Sequence, residues 1–296
     1  MTKDLDHQRN INLQAHEHPL VEDGVFKTME DYILYLMHLK SYEEAREICV
    51  GKDVLDWGCN VGYGMEILAG TAASVAGLDL SEQAVTVARQ RLGTRARDIQ
   101  VYDGTRCAFP DQTFDVVTSF QVLEHISDYE TYFNELLRVL RPGGLVILAT
   151  PNAIVRLAPG MKPWNEFHVH EFAPSELREF LAARFSSVTI RGLFATDKFY
   201  RIERQRVERA KQDALAAQNP RGIVKSLKHK VKTNVPFALL VRDAILRAYS
   251  WRSAESLSPS ELKEFSTADA YYREENLDNA LDLMAICQNP DRRIRQ

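Results

Sequence analysis

From residue 53 onward, short apolar runs alternate with longer segments whose apolar positions recur at helical spacing. DVLDW (53–57), SVAGLDL (74–80), FDVVTSF (114–120), LVILAT (145–150) and SVTIRGL (187–193) predict buried strands. Between them, EQAVTVARQRL (82–92), DYETYFNELLRVL (128–140) and SELREFLAARF (175–185) predict helices. Ser81 is placed to cap the first of these, and Arg141-Pro142-Gly143-Gly144 forms a sharp stop after the second. Strands this apolar, alternating with helices, imply a mainly parallel sheet covered on both faces.

The flanks behave differently. Residues 1–25 show no sustained periodicity, whereas 29–49 have helical spacing, so 1–50 is expected to be an arm followed by a helical segment. Residues 51–195 form the expected core. Residues 196–276 exceed what a bare doubly wound domain needs: a charged helix over 199–218 and a helical pattern over 236–249 suggest a helical insertion. LDLMAIC (281–287) predicts a final core strand within 277–296.

Composition changes this picture little. The 296 residues are 45% hydrophobic and 26% charged, with a formal net charge of -4, which gives no general reason to expect a nucleic-acid partner. Four scattered cysteines form no CxxC pair, which suits a reducing compartment and argues against a structural zinc site. No apolar stretch is long enough to cross a bilayer, and MTKDLDHQRN lacks the apolar core of a secretory signal. A cytoplasmic protein is expected. One stretch departs from this balance: Arg201–Lys232 holds ten Lys or Arg against three acidic residues. It is either a solvated face or a surface for phosphate or the inner membrane. The pattern sets no oligomeric state.

The chemistry concentrates where DVLDW runs into GCNVGYG (58–64). Gly58, Gly62 and Gly64 allow a tight turn and close ligand approach at the end of a parallel strand. Asp79 ends the next strand, and its two oxygens could accept a ribose diol. This much leaves a nicotinamide cofactor open, although Asn60 interrupts the G-x-G-x-x-G phosphate turn and Asp56 would be a poor neighbour for two phosphates.

Four stretches taken together narrow the choice: VLDWGCNVGYG (54–64), VAGLDLS (75–81), YDGTRCAFPDQTFDVVTSFQVLEH (102–125) and LLRVLRPGGLVILATPN (136–152). In order and spacing they resemble the class I S-adenosylmethionine-dependent methyltransferases, especially the small-molecule group that includes ubiquinone-biosynthesis O-methyltransferases. HVHEFAPSELREFL (168–181) extends the likeness more loosely. The resemblance implies a Rossmann-like α/β fold with a seven-stranded sheet and the helical insertion between its last two strands. It implies S-adenosylmethionine as cofactor. Asp56 and the Gly58–Gly62 turn would hold its methionyl part, Asp79 with neighbouring Leu80 its ribose, and Asp103 with Gly104 its adenine edge. Gln121 and Val122 would lie near the transferable methyl. The family commonly has glycine at Asn60, and asparagine is among the residues that best tolerate left-handed backbone.

Methyl transfer to a hydroxyl also needs the acceptor's proton removed, work suited to histidine. His125, His168 and His170 are the candidates, the last two sharing a face if extended. Glu124, His125, His168, His170 and Glu171 could instead ligate a metal. No HExxH spacing is present and the resembling chemistry commonly needs none, so no metal is expected. The basic insertion points to an anionic or lipid-linked acceptor, with saccharides and glycans ahead of quinones and polyketides. Transfer to nitrogen or carbon, an NAD-linked dehydrogenase and a non-catalytic cofactor-binding protein remain alternatives.

Overall fold

The computed structural model describes residues 25–218 and 256–290. Its centre is one eight-stranded sheet in the order β3-β2-β1-β4-β5-β8-β6-β7. The strands are β1 Asp53–Trp57, β2 Ser74–Asp79, β3 Asp98–Val101, β4 Phe114–Phe120, β5 Leu140–Pro151, β6 Ser187–Ala195, β7 Ala270–Arg273 and β8 Asp282–Gln288. β1 to β5 pair in parallel. β8 runs antiparallel to both β5 and β6, and β7 antiparallel to β6.

Helices cover both faces, as expected for strands whose side chains are buried on either side. In chain order they are α1 Met29–Arg46, α2 Tyr63–Ala69, α3 Glu82–Leu92, α4 Tyr129–Val139, α5 Ala153–Arg156, α6 Pro174–Ala182, α7 Asp197–Gln218 and α8 Pro259–Leu262. One core layer joins α1, α2 and α3 to the sheet through Ile33, Met37, Met65, Leu68 and Val85. The other joins α4 and α6 through Phe133, Leu136, Leu177 and Leu181. Helix starts follow their local chemistry: Ser81 Oγ accepts from the Ala84 amide at 3.2 Å, and Thr28 Oγ1 from the Asp31 amide at 3.1 Å.

Several expectations need correction. The sheet has eight strands rather than seven, because Ala270–Arg273, assigned to the helical insertion, pairs with β6 as an edge strand. The long connection therefore runs between β6 and β7, not between the last two strands. β3 was missed: it has four residues, only Ile99 of them buried, too little for an apolar run. Arg141–Gly144 does not stop the chain before β5, which runs through it from Leu140. The helical pattern at 236–249 and most of the N-terminal arm lie outside the described residues.

Candidate active site

The parallel strands all end on one edge of the sheet, and β1 to β4 end at or next to residues singled out by the sequence. After β1 the chain turns through Gly58 at φ 85°, Asn60 at φ 46° and Gly62 at φ 79°. Asn60 thus takes the left-handed conformation it is suited to. A Cβ on Gly58 would come within 2.5 Å of Val122 Cγ2, so close packing and backbone conformation both require glycine there.

Asp79 ties this turn to the end of β2. Its Oδ2 accepts from the Asn60 amide at 2.8 Å and its Oδ1 from the Ser81 amide at 2.9 Å. A carboxylate offers about four lone-pair sites, so two amides still leave room for a diol. Burial raises the Asp79 pKa despite these amides. Leu80 is half-buried against the α4-side core.

Asp56 sits one layer deeper. It is fully buried, accepting from Thr118 Oγ1 at 2.8 Å and from the Tyr42 hydroxyl at 3.0 Å. Burial pushes its pKa to about 7 against these two donors. Tyr42 is a site residue that sequence reasoning missed. It comes from α1, 14 positions upstream, and the lack of a side chain on Gly64 admits its ring. Asp103 is exposed after β3, with Thr105 and Arg106 amides on its Oδ1 at 2.8 and 3.0 Å. Burial works to raise its pKa, but the bonds from Thr105 and Arg106 outweigh it and lower the value. Gly104 turns beside it at φ 84°.

The neighbouring part of the edge, after β4 and β5, is built differently. Gln121 leaves β4 at φ 55°, a costly conformation for a residue other than glycine. Its Nε2 donates to Asp282 Oδ2 at the start of β8, 3.0 Å away. Burial, reinforced by Glu203, raises the Asp282 pKa to about 7. Three residues further along, Glu124 is buried, with Oε2 accepting from Thr150 Oγ1 at 2.9 Å. Its backbone carbonyl accepts the Val169 and His170 amides at 2.7 and 3.2 Å, drawing the histidine segment onto the β4 turn.

The three candidate histidines part company here. His125 and His168 meet edge to face, ring centroids 4.8 Å apart. His168 Nδ1 lies 2.6 Å from Glu171 Oε1, and Arg156 Nε donates to the other oxygen of Glu171 at 2.8 Å. Burial lowers the His168 pKa although Glu171 pulls it upward. His170 instead points outward, 43% exposed, toward Glu176 on α6. The shared face expected of His168 and His170 is absent, because the segment bends into a turn rather than a strand.

A methyltransferase-domain family model matches residues 55–148, which span the glycine turn, Asp79, Asp103 and Gln121. A probable S-adenosylmethionine-dependent methyltransferase of Mycolicibacterium smegmatis is 39% identical over 153 residues, 51% of this chain and 58% of that protein. The chain thus spans little more than half of that relative's length. A ubiquinone biosynthesis O-methyltransferase of Idiomarina loihiensis is 32% identical over 186 residues, 58% of this chain and 76% of the relative. Among solved structures, the [4+2]-cyclase SpnF shares the fold at a TM-score of 0.50 and 18% identity, covering 97% of this chain and 95% of that one. With matched motifs lying on one edge of a sheet whose first five strands are parallel, the chain belongs to the class I S-adenosylmethionine-dependent methyltransferases.

Proposed function

We propose that this protein transfers the methyl group of S-adenosylmethionine to a hydroxyl oxygen of a small-molecule acceptor, saccharides included. The observation that carries the reading is the meeting of two devices on one edge. The Asp79-braced glycine turn suits the cofactor, and beside it stands a buried imidazole backed by a carboxylate. The cofactor supplies an activated methyl on a sulfonium. The chain's own work is to align an acceptor with it and take up the acceptor's proton, and alignment alone can supply several kcal/mol of barrier reduction.

His168 is the better-placed histidine for the proton. Glu171 takes its Nδ1–H, leaving the lone pair on Nε2, and the Arg156 guanidinium holds Glu171 in place. The O-methyltransferase relative from Idiomarina loihiensis supports oxygen over nitrogen or carbon. Buried groups on this part of the edge are mainly carboxylates, Glu124, Glu171, Glu203 and Asp282, and they suit a hydroxylated neutral acceptor better than a phosphate-bearing one. The connection after β6 begins with α7, which starts at the same edge and packs against α1 and α5; this supports a screening role for the insertion.

The test is incubation with methyl-labelled S-adenosylmethionine and mass spectrometry of metabolite and glycan pools. Label on an oxygen is the expected result, and cofactor binding without label in any pool would overturn the reading. Replacing residues 219–255 by a short linker should leave cofactor binding intact and raise the acceptor KM; unchanged kinetics would remove the screening role.

A further inference from the structure

The structure assigns a second site to this chain: we propose that Glu124, His125 and His168 bind a divalent transition-metal cation of the zinc or ferrous type. One ligand atom from each lies within 4.8 Å of the other two, among residues that are buried or nearly so. Bonds of about 2.0–2.2 Å to nitrogen and carboxylate oxygen would draw the three in by roughly an ångström. Short side-chain rotations can supply that movement.

Both histidines are held in the tautomer that a cation needs. The Phe167 carbonyl can only accept, so the 3.1 Å contact puts the proton of His125 on Nδ1 and the lone pair on Nε2. Glu171 does the same for His168 at 2.6 Å. Histidine ligands are commonly oriented by such outer partners, a carbonyl or a carboxylate on the far nitrogen. Glu124 provides the independent sign. It is 1% exposed, Thr150 occupies Oε2, and among the described residues Oε1 has no hydrogen-bond partner. A buried carboxylate oxygen left without a donor is costly, and a cation would satisfy it.

Two imidazoles and one carboxylate favour a borderline transition metal over magnesium or calcium, which prefer all-oxygen sites. Three protein ligands also leave coordination positions open, as in catalytic rather than structural sites. Any use of the cation in catalysis rests on the methyl-transfer reading. There it would hold the acceptor oxygen and raise its acidity, so that the hydroxyl proton would pass to solvent water while the His168 lone pair serves the metal. The binding claim needs neither cofactor nor acceptor.

The experiment uses full-length protein stripped with a chelator and titrated with Zn²⁺ against a chromophoric competitor, then with Co²⁺ followed by visible absorption. One tight equivalent of Zn²⁺ is expected, with Co²⁺ bands typical of nitrogen and oxygen ligation. Glu124→Gln and His168→Ala should each weaken binding by more than the roughly 10–100-fold that outer-partner changes cost. His170→Ala, outside the cluster, should bind like wild type. S-adenosylmethionine binding by each variant reports that it is folded. No tight equivalent in the wild type, or the same affinity in folded Glu124→Gln and His168→Ala, would overturn the site. Metal binding without methyl transfer would leave it standing and sink only the proposed reaction.

Discussion

The two halves of the candidate edge, one proposed for the cofactor and one for the acceptor, are built by different means. On the cofactor half, the turn after β1 is shaped by backbone conformation, and Asp79 is gripped by amides at positions 60 and 81. On the acceptor half, side chains far apart in sequence do the work: Gln121 meets Asp282 across 161 positions, and Asn152 Nδ2 donates to the Ala280 carbonyl across 128. A backbone-built site depends on glycines and strand ends at short spacing. A side-chain-built site depends on which distant segments the fold brings together, and it can change its chemistry without disturbing the sheet.

The contrast explains what could be read in advance. Asp56 and Asp79 lie at the ends of strands, and the glycine turn and Gln121 follow strands, whose apolar runs announce them, and the sheet positions each strand end on one edge. Tyr42 carried no such signal, because an amphipathic helix does not reveal which tyrosine faces a carboxylate in the next element. The separation of His168 from His170 was equally hidden. It depends on Glu124 carbonyl bonds to the 169 and 170 amides, which turn the segment. The edge strand β7 was concealed by its brevity and by two exposed or half-exposed positions among four.

The largest effect expected from breaking this comparison lies in the acceptor half. Arg156 and Glu171 form an ion pair whose side chains are 9% and 0% exposed, and His168 hangs on the same carboxylate. Arg156→Ala would leave Glu171 charged and buried without its guanidinium, a loss of about 3–5 kcal/mol. Urea unfolding should show that loss as a lower midpoint. A change near zero would mean the acceptor half does not depend on this long-range pair.

In the cofactor half the corresponding effect is smaller and falls on ligand binding. If Asp79 receives the ribose diol, Asp79→Ala removes a charged acceptor from it, for a loss of about 1.5–3 kcal/mol, roughly tenfold or more in Kd. The amides of Asn60 and Ser81 lose their partner as well. Calorimetry with S-adenosylmethionine is the measurement, and unchanged affinity would take Asp79 out of the cofactor site.

The last test asks whether the halves share their burial, and its effect is spread over the pH scale. Asp282 has a folded pKa of about 7, raised first by burial and then by Glu203, against an unfolded value of about 3.9. Below about pH 4 both states are protonated and the group does not oppose folding. As pH rises from there toward 7, the unfolded chain ionises Asp282 while the folded chain keeps the proton. Stability therefore falls over that window, by at most about 1.4 kcal/mol per pH unit from this group, and levels off above it. Asp56, also at about 7 through burial, contributes with the same sign from the cofactor half. Asp282→Asn keeps an oxygen for the Gln121 amide and removes the titration. Urea midpoints measured between about pH 5 and pH 7 should then decline less steeply than in the wild type, with the remaining slope carried by groups such as Asp56. An equal decline in variant and wild type would show Asp282 ionised in the folded chain, and the acceptor half would be wetter than the cofactor half.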